Sequence, residues 1–274
     1  MKQASVIVSI FLILMLLTNC NQNQEKSDMK ILYLHHSTGG VIWEGASSLF
    51  KNGSLPELFR KYNKANQKDY IIEERAFPKS SPYGWKNYPY DYYNIWVKNA
   101  GEKPFMEEPT LEILTKDYQV IIFKHCFPVS NIQAEQDSAD INSDVQTISN
   151  YKLQYNALRD KLHEFPGVKF ILFTGAVQVK SNITEDEAMR ANEFFTWVKN
   201  DWDTAGDNIY LWDLYGLQTD GDLYFKDEYA VSSTDSHPNK KFASKAVGLL
   251  FNRIIDIIER NGNNTLLAGE MVQK

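Results

Sequence analysis

The chain has 274 residues, 43% hydrophobic and 23% charged, with a formal net charge of −6. That balance suits a single globular domain with a sizeable core. It leaves no basic excess to replace phosphate counterions, which excludes nucleic acid as a partner. No internal repeat, low-complexity tract or run of like charges interrupts the chain.

The first segment stands apart. Lys2 precedes an apolar run from Val6 to Leu17, closed by Thr18-Asn19-Cys20 and the polar stretch Asn21 to Asp28. The run is too short for a spanning helix, which needs ~20 apolar residues. It resembles a bacterial lipoprotein signal, in which Cys20 becomes the lipidated first residue of the mature protein, although Asn19 stands where a small residue is usual. The expectation is therefore a signal over residues 1–20, a polar linker over 21–28, and a protein held to the membrane by lipid at Cys20. Its place would be the bacterial cell envelope, at the outer membrane or cell surface. An ordinary secretory signal or an uncleaved anchor shares the same charged and apolar regions and is the alternative. With Cys20 acylated, Cys126 is alone, so stability must come from the core and not from a disulfide.

Beyond residue 28, short apolar runs alternate with helical patterns. Strands are predicted over Lys30 to His35, Tyr70 to Phe77, Tyr118 to Lys124, Val168 to Thr174 and Asn208 to Leu214. All are rich in β-branched or aromatic residues, as strands buried on both faces tend to be. Helices are predicted over Leu55 to Asn66, Pro109 to Thr115, Val145 to Phe165, Glu185 to Trp202 and Lys240 to Arg260. The last carries Phe242, Val247, Leu250, Phe251, Ile254, Ile257 and Ile258 as one apolar stripe. This alternation predicts an α/β fold: a parallel sheet of about five strands with helices on both faces. Asn261-Gly262-Asn263-Asn264 reads as a helix stop, giving a domain over 29–261 and a flexible tail over 262–274. Two connections are long, 78–109 and 127–144; both leave carboxyl ends of strands, where ligands bind in open α/β sheets.

Two motifs carry chemistry. Ser37 follows the first strand in Leu34-His35-His36-Ser37-Thr38-Gly39-Gly40, and Thr234-Asp235-Ser236-His237-Pro238-Asn239 precedes the last helix. Serine is a weak nucleophile until an imidazole takes its proton, and the imidazole needs an orienting acceptor. Read alone, Ser-Thr-Gly-Gly is a turn capping a helix, and His237 is a surface residue before a helix-initiating proline. Taken together, in this order and on this pattern, they resemble the nucleophile and final blocks of the SGNH (GDSL-type) hydrolase family over roughly residues 29–260. That resemblance implies a flavodoxin-like three-layer fold and a cofactor-free serine esterase with Ser37, His237 and Asp235 as its catalytic residues. An acylated carbohydrate is the substrate class it suggests. The alternative is a non-catalytic surface lipoprotein of the same fold that binds a glycan or peptide.

The chain departs from the family pattern in stated ways. The usual Gly-Asp-Ser-x-Ser is here His-His-Ser-Thr-Gly, and the usual acid position, three before the histidine, is Thr234. The resemblance implies an oxyanion hole from the backbone of Ser37 or its neighbour Gly39, a glycine for which Gly84 is a poor match, and an asparagine for which Asn131 is the nearest. Asn131 reads equally as a turn residue. Tyr83, Trp85 and Tyr88, within a cluster extending to Tyr90, Tyr92, Tyr93 and Trp96, could stack on a substrate sugar or could pack onto the sheet edge. His35, His36, Asp235 and His237 also suggest a zinc site, but adjacent strand residues point to opposite faces and His-Glu-x-x-His is absent, so no metal is expected. No phosphate-binding or dinucleotide fingerprint is present.

Overall fold

The computed structural model describes residues 29–45, 53–84 and 86–273; Cys20 and Trp85 lie outside them. In chain order the elements are β1 (Met29–His35), α1 (Thr38–Glu44), α2 (Leu55–Asn66), β2 (Tyr70–Ala76), α3 (Pro89–Tyr92) and α4 (Leu111–Asp117). They continue with β3 (Val120–Phe123), α5 (Ile148–His163), β4 (Lys169–Phe173), α6 (Glu185–Trp197), β5 (Ile209–Trp212), α7 (Leu214–Thr219), β6 (Ala230–Ser232), β7 (Asp235–Pro238) and α8 (Lys240–Arg260). Helices α3 and α6 each run on into a wider π-helical turn, Tyr93–Lys98 and Val198–Trp202.

The first five strands form one sheet in the order β2-β1-β3-β4-β5, every pair parallel. Helices cover both faces, in an α/β three-layer arrangement with the strand order of flavodoxin-like folds. Central strands are apolar on both faces because both are covered. Ile31, Leu32, Tyr33 and Leu34 of β1 and Val120 to Phe123 of β3 have no exposed surface. Trp43 of α1 stacks on Tyr33 at one face, with centroids 5.8 Å apart, and α8 covers the same side. At the other face Trp96 meets Phe123 edge-on at 5.2 Å.

The sheet's two edges are protected differently. β2 carries Glu73, Glu74 and Arg75, charges that discourage further pairing. β5 is covered by the chain after α8, where the predicted loose tail is instead packed. Asp213 N–H donates to Leu267 O at 3.0 Å, Trp212 Nε1 donates to Ala268 O at 3.0 Å, and Thr265 bridges Met271. Buried Arg253 holds this segment, its Nε donating to Leu211 O (3.0 Å) and its Nη1 to Gly262 O (3.0 Å) and Thr265 Oγ1 (3.0 Å). Asp256 Oδ2 accepts from the backbone and hydroxyl of Thr265, both at 2.7 Å. A buried indole N–H and a buried guanidinium both need acceptors; residues 262–273 supply the indole's and those of the guanidinium's Nη1, and Leu211 supplies that of its Nε.

Other boundaries follow local capping. Thr184 and Glu187 form a reciprocal capping box that starts α6. Asp213 ends β5 two residues before the predicted end because its carboxylate accepts from Gly216 N–H and caps α7. Replacing Arg253 by alanine is expected to destabilise the fold by about 3 kcal/mol, since it strands several buried acceptors. Denaturant unfolding measures the loss, and limited proteolysis should cut residues 262–273 first.

Candidate active site

The direction in which successive strands are added reverses between β1 and β3: β2 lies to one side of β1, while β3, β4 and β5 succeed one another on the other side. Such a switch point leaves a crevice at the carboxyl ends of the two strands. Ser37 follows β1 there, and Lys124, His125 and Cys126 follow β3.

Ser37 occupies φ 44°, ψ −105°, a strained conformation for a residue with a side chain, and it is exposed. The turn around it is held from below. Gly39 N–H donates to His36 O at 2.8 Å, Val41 N–H to Ser37 O at 3.1 Å, and Tyr33 Oη to Gly39 O at 3.2 Å. A Cβ on Gly39 would lie 2.4 Å from His35 Cβ, so glycine alone lets α1 start this close to the strand it follows. Gly39 therefore shapes the turn, and its N–H is engaged in closing it instead of facing an oxyanion. The Ser37 N–H, by contrast, makes no hydrogen bond to a described residue.

His237 and Asp235 come from β7, where the sequence pattern suggested only an approach to the last helix. The hairpin β6–β7 is gripped by the loop after β4. Ser236 Oγ accepts from Val179 N–H (3.0 Å) and Asn182 Nδ2 (3.2 Å), and Asn182 Nδ2 also reaches Thr234 O (3.1 Å). Successive strand residues face opposite sides. With buried Ser236 turned inward, Asp235 and His237 share the open side, which explains an acid placed two residues before the histidine. Asp235 Oδ1 accepts from His237 Nδ1 at 2.6 Å and from the His237 backbone N–H at 3.0 Å. These contacts, the backbone one foremost, hold the Asp235 carboxyl below the usual carboxylate range. An ionised Asp235 fixes the proton on Nδ1, leaving Nε2 as an acceptor for the Ser37 hydroxyl, with which it is in hydrogen-bond contact. The Phe127 ring stands edge-on to the imidazole, centroids 5.4 Å apart.

The remaining predicted residues fall elsewhere. Asn131 Oδ1 accepts from Gln178 Nε2 at 3.1 Å and its amide bonds Glu187, so it braces two loops. Tyr88 is core, 1% exposed, its hydroxyl donating to Asp144 O at 2.9 Å; no face is left for a substrate. Tyr92 and Trp96 are fully buried, and Tyr83 is half-buried with its hydroxyl on Asp91 Oδ1 at 3.1 Å. The aromatic cluster packs because rings that size gain most from burial. Gly84, at φ 80°, serves a turn.

The other site imidazoles have separate partners: His35 Nε2 meets Glu74 Oε2 at 2.8 Å, and His36 Nε2 donates to Pro78 O at 2.5 Å. Among the described residues no group of three or more His, Cys, Asp or Glu side chains is placed to share an ion. A cleft of about 690 Å³ lies at the opposite, amino end of the sheet between His163, Lys169, Asp207 and Tyr210, away from Ser37. Sequence reasoning missed Lys124, which is fully buried beside the Ser37 turn. A lysine ending an otherwise apolar strand was the available signal. No protein-family model matches the chain, and no curated protein is significantly similar to it.

Burial lowers both His35 and His125 from 6.5 to about 3, with Lys124 adding to each shift. Unfolded imidazoles bind protons below 6.5 while these two do not, so this contribution to stability is complete above that pH and is lost as pH falls toward 3. Ring-proton NMR should find two of the five histidines silent between pH 8 and 5, and denaturation midpoints should fall with pH across that lower window.

Proposed function

We propose that the protein is an exported, lipid-anchored serine ester hydrolase of the SGNH type. The observation supporting this reading is the hydrogen-bonded sequence Ser37–His237–Asp235, assembled from two ends of the chain at the sheet's switch point. Ser37 Oγ attacks an acyl carbonyl as its proton passes to His237 Nε2. Asp235 holds the resulting imidazolium by Nδ1–H, and the Ser37 N–H faces the developing oxyanion. Collapse expels the alcohol, which takes the proton from Nε2; water then enters by the same route and releases the acid. Because the Asp–His pair is half exposed, at 44% and 41%, its contribution is orientation of the ring more than stability. Exposure of Ser37 on an open surface suits an ester carried by a bulky molecule, and an acylated carbohydrate at the bacterial cell surface is the substrate class we favour. The engagement of Gly39 and Asn131 elsewhere favours a second reading, a non-catalytic lipoprotein that binds a glycan or peptide.

Short-chain p-nitrophenyl esters and acetylated sugars, tested on protein lacking residues 1–20, separate the two. Under the first reading Ser37→Ala and His237→Ala each lower kcat by about ten-thousand-fold or more, and the double variant is little worse, because one proton-transfer unit is lost once. Asp235→Ala should lose less. Full activity in Ser37→Ala would sink the serine mechanism.

Anchoring is tested independently. In a bacterial host the full chain should take up labelled palmitate and partition into detergent, and Cys20→Ser should abolish both. Unchanged labelling in that variant would remove the lipid-anchor reading.

A further inference from the structure

Lys124 is the residue most at odds with its surroundings. It is fully buried at the end of β3, and among the described residues no carboxylate lies within ion-pair distance. Its Nζ has two long contacts, to His36 O at 3.5 Å and to Cys126 Sγ at 3.4 Å. Burying an ammonium this way costs several kcal/mol unless other interactions offset it. Its methylene stem packs under the nucleophile turn, where a Cβ on Gly39 would lie 3.0 Å from Lys124 Cδ.

The two groups donating to His36 O define what the charge can do. Gly39 N–H, at 2.8 Å, and the ammonium both approach that oxygen. The same planar trans peptide unit carries, on its opposite side, the N–H of Ser37. Positive charge at the carbonyl end draws electron density from the amide and makes its N–H a stronger donor, as in any polarised hydrogen-bond chain. We propose that Lys124 is a positioning residue for ester hydrolysis: through the His36–Ser37 peptide it orients and polarises the Ser37 N–H toward the oxyanion. The proposal rests on the esterase reading and adds to it, supplying by charge part of what Gly39 and Asn131 do not supply by hydrogen bonds. An electrostatic contribution of this kind acts on the charge that develops in the transition state and hardly on the neutral substrate.

The test compares wild type with Lys124→Met, which keeps the stem and removes the charge. We expect kcat to fall by roughly 10- to 100-fold, less than removal of an oxyanion donor outright, with KM within about threefold. Affinity for an alkylboronic acid, whose tetrahedral adduct carries the oxyanion, should fall by the same factor. Thermal stability should hold or rise, since a buried charge is gone. Lys124→Gln, which restores a neutral donor, should recover only part of the loss. Wild-type kcat in Lys124→Met, a loss confined to KM, or boronate affinity unchanged beside a reduced kcat would each overturn the proposal and leave the esterase reading standing. So would unfolding of both variants, which would make Lys124 a structural residue. Wild-type protein that neither hydrolyses esters nor reacts with a fluorophosphonate at Ser37 would overturn both.

Discussion

The close approach of α1 to the end of β1 governs the rest of the candidate site. β1 is packed on both faces and paired on both sides, so its last residue has no freedom to move. Helix α1 begins three residues later, against the side chain of His35, at a distance that only a glycine at position 39 permits. Ser37 is left to span the gap in a strained conformation, its side chain exposed and its N–H bonded to none of the described residues. Strain of this kind persists only where the surroundings over-determine it. Here they do, through Tyr33, the His36 carbonyl and the lysine beneath.

The partner side of the site is built on a different principle. β6–β7 is a short hairpin outside the main sheet, and on its own it would be marginal. Ser236 and Asn182 tie it to the loop after β4, while Asn239 caps α8 and reaches back to Glu228 O and Ala230 O. The hairpin is thus clamped between a sheet loop and the longest helix. That clamping lets an exposed Asp–His pair hold one geometry, where an isolated surface pair would lose it to side-chain entropy.

Polar burial around the switch point is unusually dense. His35, the last residue of β1, and Lys124 and His125, which directly follow β3, are all buried. The two imidazoles are held neutral by desolvation and by the lysine's charge. A cation is thus kept in the core beside neutral bases, one of which, His35, also meets Glu74 of the edge strand at 2.8 Å.

Much was legible along the chain. Continuous apolar runs marked the four inner and covered strands β1, β3, β4 and β5, β-branched and aromatic residues marked β2, and the stripe from Phe242 to Ile258 marked α8, because burial on two faces and on one leave different periodicities. Ser37 and the Asp-x-His motif stood out because their residue types are chemically specific. Other features left no local trace. Whether Tyr88 and Tyr92 faced solvent or core depended on Asp144 and Lys124, distant in sequence, accepting from their hydroxyls. Residues 262–273 looked like a loose end because, the Thr265 hydroxyl apart, the acceptors they offer to Trp212 and Arg253 are backbone atoms, which composition does not reveal. The i, i+2 acid was ambiguous until β7 proved to be a strand. Sequence by itself determined the layers and the reactive side chains, since both follow from hydrophobic period and residue chemistry. Only tertiary structure decided which hydroxyl and imidazole meet, since contact across 200 residues is a property of strand order and packing.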